Sequence, residues 1–130
     1  MFSFLSSRAR AFRYAFRGWS FVIRTQRNAW IHAVISVAVI IIAAWLHLSP
    51  RDWAGIIIAI AMVWTAEFIN TALEAVVDLA SHHEHHELAR VGKDVGAAAV
   101  LIAAMAAILI GFLILGPPLW ERLRPLVTGP

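Results

Sequence analysis

Three long apolar stretches, residues 29–48, 53–79 and 95–115, set the plan of this chain. A helix needs ~20 residues to cross a hydrocarbon core of ~30 Å, and each stretch has about that length. The first is interrupted only by His32, Ser36 and His47; the second is uncharged from Trp53 to Ala66; the third carries no charge. The second stretch then runs on through Glu67-Phe-Ile-Asn70-Thr71-Ala-Leu-Glu74-Ala-Val-Val-Asp78. On a helix, positions 67, 70, 71, 74 and 78 fall at i, i+3, i+4, i+7 and i+11, which is one face. Phe68, Ile69, Ala72, Leu73, Ala75, Val76 and Val77 fill the remainder. Carboxylates inside an apolar segment are costly, so a polar stripe of this kind marks a functional site.

The flanking segments complete the organisation. Residues 1–28 read as an amphipathic helix, with Ala9, Phe12, Phe16, Trp19 and Ile23 on one seam and Arg10, Arg13, Arg17 and Arg24 on another face. Aromatics opposite arginines is the composition of a helix lying in the headgroup layer. Residues 29–116 form a three-helix transmembrane core, and 117–130 an interfacial tail with Trp120, Arg122 and Arg124. Pro50 stops the first span, Ser49 or Asp52 caps the second, and Gly116-Pro117-Pro118 is expected to end the third. Neither an internal repeat nor a second domain is visible.

Composition agrees with a membrane protein: 130 residues, 61% hydrophobic and only 15% charged, leave little polar surface for a soluble domain. The first apolar run follows six arginines and no small-residue cleavage site comes after it, which argues against a cleaved signal peptide. Without cysteine there is no disulfide, thiolate metal site or cysteine nucleophile. The basic residues sit beside the spans rather than on a separate domain, which argues against nucleic acid. Arg8, Arg10, Arg13, Arg17, Arg24, Arg27, Arg90 and Lys93 lie on one side and Arg51, Arg122 and Arg124 on the other. The richer side, with the N-terminus and the Glu67–Asp78 end of the second span, is therefore expected to face the cytoplasm.

Rise along the helix separates Glu67 from Glu74 by about 10 Å, so the two cannot share one ion and should have different roles. Glu67, the deeper, suits a general base. Glu74 and Asp78, nearer water, suit Mg²⁺ held on oxygens shared with phosphates. Asn70 and Thr71 lie between, placed to orient a hydroxyl or a phosphate oxygen. Ahead of the third span, Arg90-Val-Gly92-Lys93-Asp94-Val-Gly96 combines a helix N-terminus with a lysine, a phosphate-binding combination. It is not a Walker A loop, since Glu87 stands where glycine is needed and Asp94 follows the lysine. The run His82-His83-Glu84-His85-His86 reads as a solvated loop rather than a metal site, and His32 and His47 as helix-end or packing residues.

Taken together, Glu67-x-x-Asn70-Thr71-Ala72-x-Glu74-Ala75-Val76-Val77-Asp78 and Ala89-x-x-x-Lys93-Asp94-x-x-Ala97-x-Ala99-Val100-Leu101 resemble the prokaryotic diacylglycerol kinase family. These are small integral-membrane lipid kinases that include the undecaprenol kinases of Gram-positive bacteria. The resemblance covers roughly residues 8–113, and Asn28-Ala29-Trp30-Ile31-His32 is similar to the Asn-x-x-Ile-His of the undecaprenol branch. It implies an all-α homotrimer in the bacterial cytoplasmic membrane, each chain with a surface helix and three spans, and active sites shared between subunits. It implies phosphoryl transfer from ATP, with Mg²⁺, to undecaprenol or diacylglycerol, the wording favouring undecaprenol. By that resemblance Glu67 is the base, assisted by Asn70, and Glu74 ligates the metal. Lys93, Asp94 and Arg13 join Glu74 in the nucleotide site, and Thr71 and Asp78 position substrate. The chain departs from the pattern at Gln26, where many members carry a second metal-ligating glutamate. The amide oxygen still coordinates a cation, but one negative charge fewer weakens its hold.

Two other readings compete. A small oligomeric transporter would use Glu67 as a proton relay, but it has no need of a nucleotide site around Lys93. A non-catalytic assembly factor would leave the acidic stripe without purpose.

Overall fold

The computed structural model describes residues 2–82, 84 and 86–128, with the backbone alone for residues 2–7, 9, 127 and 128. The described residues form four helices: α1 (Phe2–Thr25), α2 (Arg27–Trp45), α3 (Pro50–Ala80) and α4 (Glu87–Thr128). The last three are long and apolar enough to cross a membrane, by length and composition. Large side chains such as Val34 and Ile41 on α2 and Ile102, Phe112 and Leu113 on α4 are exposed. A continuous surface of that kind demands apolar surroundings.

The joints follow from local chemistry. Gln26 adopts an extended conformation between α1 and α2, and its side chain makes no capping bond, which leaves it free to reach across the bundle. At the end of α2, His47 N–H donates to the Ala44 carbonyl and Leu48 N–H to that of Ala43. With His47 at φ 52°, this is a Schellman stop in which histidine holds the left-handed position usually taken by glycine. Ser49 then caps α3, its Oγ accepting from Asp52 N–H at 3.2 Å, with Pro50 in the first turn.

The core is the α3–α4 pair, the most extensive helix contact in the chain, with α2 packed against α3. The buried residues of α3 are Ile56, Ala59, Val63, Glu67, Asn70 and Thr71. Their spacing of three and four traces a single seam, apolar in its first half and polar in its second. Close approach at both ends depends on glycine. A methyl group at Gly55 would lie 2.6 Å from Ile114 Cδ1, and one at Gly96 would collide with Asn70 Oδ1.

Two boundaries differ from the sequence expectation. α4 already starts at Glu87, because nothing between Leu88 and Asp94 breaks a helix, and Arg90 N–H is bonded to the His86 carbonyl. The helix also continues through Gly116-Pro117-Pro118 rather than stopping there. Proline's fixed φ is helical; it removes a donor, leaving the Leu113 and Ile114 carbonyls without their intrahelical partners, but does not force a turn. The extension is fastened by Arg122, whose guanidinium lies 4.9 Å from the centroid of the Trp45 ring on α2.

α1 touches the bundle through its last turns. Val22 is buried, and the Trp19 ring sits 4.8 Å from both Trp64 and Phe68 of α3. Phe12, Tyr14, Phe16 and Phe21 are exposed, as are Arg10, Arg13, Arg17 and Arg24.

Candidate functional site

The polar half of the α3 seam meets the α1–α2 joint on one side and α4 on the other. Glu67 is buried, its side chain 2% exposed, and its Oε2 lies 3.7 Å from His32 Nε2 on α2. That separation is too long for a hydrogen bond. Both atoms are buried without a hydrogen-bond partner, and so is Asn70 Oδ1. Buried polar atoms are normally paired, and an unpaired carboxylate oxygen is among the costliest exceptions. Two of them, Glu67 Oε2 and His32 Nε2, face each other between α3 and α2 and point to a place where a ligand group belongs. The surroundings are aromatic: the Trp64 ring stands edge-on to His32 at 6.4 Å and its Nε1 donates to Ser36 Oγ at 3.2 Å. Thr71, by contrast, donates its hydroxyl to the Glu67 backbone carbonyl at 2.9 Å, a bond within its own helix.

Two turns along α3, Glu74 is held from two sides. Asn70 Nδ2 donates to its Oε1 at 2.8 Å and Gln26 Nε2 to its Oε2 at 3.2 Å. The structure thus brings together the two residues expected to face a cation, Glu74 and Gln26, 48 positions apart in the chain. Among the described residues no three His, Cys, Asp or Glu side chains converge as a metal-holding group. Glu74 and the Gln26 amide oxygen are nevertheless the hard oxygen donors that Mg²⁺ takes, and a Mg²⁺ site built on one carboxylate is completed by phosphate oxygens. Gly96 of α4 is the floor under this arrangement, since only its missing side chain leaves room for the Asn70 amide.

At the outer end of the same face, Lys93 Nζ is paired with Asp78 Oδ1, joining α4 to α3. Asp94 is also engaged: Arg90 bonds it at 2.7 Å and binds Glu87 in a fork at 2.6 and 3.2 Å. A cleft of about 540 Å³ opens here, lined by Asp78, Ser81, Glu84, Glu87, Arg90 and Lys93 among others. The helix N-terminus expected beside Lys93 lies further back, at Glu87, and its first turn lines the cleft together with Lys93. With α4 starting at Glu87, the amides around Gly92 and Gly96 are already inside the helix. The cationic side chains that line the cleft are Lys93 and Arg90, each paired with a carboxylate. Arg13 makes no contact with this group; it stands some 20 Å along α1 from Gln26 at ~1.5 Å per residue. In the histidine run, His82 takes the left-handed position after α3, with its N–H on the Leu79 carbonyl. His83 and His85 lie outside the described residues.

The sequence marks His32 as a helix-end or packing residue; in the structure it stands in the early turns of α2 and packs on Trp64, with its Nε2 3.7 Å from Glu67 Oε2. A signal was available: Ala29, His32 and Ser36 share one face of α2, and His32 and Ser36 are the polar residues of that span's interior. Gly96 and Arg90 belong to the combination read around Lys93, but what each meets, the Asn70 amide and the Glu87 and Asp94 carboxylates, is visible only in the packed helices.

Comparison with known proteins adds an independent line. Residues 13–115 match the family described as prokaryotic diacylglycerol kinase. A diacylglycerol kinase from Synechocystis is 47% identical over 109 residues, which is 84% of this chain and 62% of that protein. This chain therefore spans less than two thirds of that relative's length. An undecaprenol kinase from Bacillus subtilis is 38% identical over 85% of this chain and 89% of its own. A diacylglycerol kinase from Escherichia coli K12 is 37% identical over 64% of this chain and 73% of its own.

Proposed function

This chain belongs to the prokaryotic diacylglycerol kinase family, and we propose that it transfers the γ-phosphate of ATP to the hydroxyl of a membrane lipid, undecaprenol or diacylglycerol. The products are undecaprenyl phosphate or phosphatidic acid. The observation that carries this reading is the buried, unpaired Glu67 carboxylate set about 10 Å along one seam from Glu74, with Lys93 beyond it.

Phosphoryl transfer asks a protein chiefly for alignment and neutralisation of charge. Glu67 takes the proton of the acceptor hydroxyl, which enters from the bilayer, and Asn70 orients the hydroxyl. Glu74 and the Gln26 amide oxygen would hold Mg²⁺, which supplies charge neutralisation on the phosphates when bound. Lys93 exchanges Asp78 for a phosphate oxygen, and the cleft beside it takes the nucleotide, with Asp94 toward the sugar or base. Thr71 and Asp78 frame the substrate positions. The protein works as a homotrimer whose sites are shared between subunits, so that Arg13, remote within one protomer, reaches a nucleotide across the boundary. It resides in the bacterial cytoplasmic membrane with its N-terminus cytoplasmic. α1 is the amphipathic surface helix, with Arg10, Arg13, Arg17 and Arg24 toward the headgroups.

The decisive experiment offers purified protein in mixed micelles labelled ATP with diacylglycerol and undecaprenol in parallel. Transfer to one of them supports the reading and names the acceptor; transfer to neither, with Mg²⁺ in excess, overturns it. Glu67→Gln should abolish turnover while MgATP binding survives. If that variant loses nucleotide binding instead, Glu67 belongs to the metal.

A further inference from the structure

We propose that His32 is the positioning residue of the Glu67 carboxylate: its Nε2–H holds Oε2, which turns the other oxygen to the acceptor hydroxyl. This rests on the reading of Glu67 as the base and adds to it the group that aims the base.

Elimination among the donors around Glu67 singles out His32. Glu67 Oε2 is buried and unpaired, and the atom that faces it is His32 Nε2, itself buried and unpaired, at 3.7 Å. The neighbouring donors are spent elsewhere. Thr71 bonds the Glu67 backbone, Asn70 Nδ2 and Gln26 Nε2 bond Glu74, and Trp64 Nε1 bonds Ser36. Neither partner can turn to water without leaving a buried seam. The gap exceeds a hydrogen bond by roughly half an ångström. Catalytic hydrogen bonds are often long before substrate is present and tighten in the complex. His32 is well placed to close it, since the imidazole is braced edge-on by Trp64 from α3. A carboxylate with one oxygen fixed by a donor has a single direction in which to take a proton, and alignment of that kind is what a base in an apolar site requires.

The test is the kinetic pattern of four variants in the micelle assay. His32→Leu fills the space without a donor, and His32→Gln keeps an N–H at nearly the reach of Nε2. His32→Asn keeps an N–H that is too short. Loss of a bond to a carboxylate is expected to lower kcat by roughly 10- to 100-fold in the Leu and Asn variants, with KM for ATP unchanged. His32→Gln should stay within a few-fold of the parent. Should the Leu variant fail to fold, the contrast between Gln and Asn decides alone. Full kcat in the Leu or Asn variant, or equal loss in Gln and Asn, overturns the proposal. Glu67→Gln separates the two readings. If it still turns over, the base assignment itself is wrong; if it is dead while His32→Leu is normal, only the role of His32 falls.

Discussion

Gly96→Ala is the substitution on which the geometry of the site bears most directly. A methyl group there collides with Asn70 Oδ1, and it would lie 3.4 Å from Asn70 Cγ and 3.1 Å from Leu73 Cδ2. The helix cannot back away cheaply, because α3 and α4 form the main packed pair. The easier response is for the Asn70 amide to rotate, and rotation breaks its 2.8 Å bond to Glu74. A hydrogen bond to a carboxylate contributes about 1.5–3 kcal/mol, and overpacking costs about 1–3 kcal/mol. Glu74 is only half-buried and can turn to water, so the stability loss should sit near the lower end, about 1 kcal/mol. The loss of alignment falls on the reaction: at about 1.4 kcal/mol per factor of ten, kcat should drop roughly 10- to 100-fold. The comparison variant is Gly55→Ala, which presses on Ile114 with no polar group nearby. It should lower the thermal midpoint in detergent as much or more while leaving kcat intact. Wild-type kcat in Gly96→Ala, or an equal kcat loss in both variants, would refute the claim that Gly96 positions Asn70.

Three further outcomes are expected. Gln26→Glu restores a second carboxylate 3.2 Å from Glu74 in the present geometry. It should lower the Mg²⁺ concentration for half-maximal activity and, through like-charge repulsion, lower the midpoint measured in EDTA. Lys93→Met removes a half-exposed ion pair worth about 0–1 kcal/mol, so thermal stability should barely move while KM for ATP rises roughly tenfold or more. His47→Gly relieves a left-handed residue at the end of α2 and should raise the melting midpoint, by up to about 1 kcal/mol of stability, without changing kcat.

The sequence by itself determined the three apolar helices, the stop at His47–Pro50, and the polar stripe from Glu67 to Asp78. Each is a local property: run length, capping residues, and helical periodicity. It also placed Glu67, Asn70, Glu74 and Lys93 in the candidate site, through periodicity and through a motif written along one helix and the start of another. What it left open was everything that depends on which faces meet. That Gln26 reaches Glu74, that His32 confronts Glu67, and that Gly96 makes room for Asn70 are pairings between helices. Periodicity assigns a residue to a face but not the face to a neighbour. α4 begins ahead of its apolar span for a related reason: hydropathy marks where a helix becomes apolar, and backbone hydrogen bonding at Glu87–Asp94 is indifferent to that change. The polar stripe looked from the chain like a cost to be explained. The packed helices make it the inner half of one continuous seam, because the spacing that buries Ile56, Ala59 and Val63 carries on unbroken into Glu67 and Asn70.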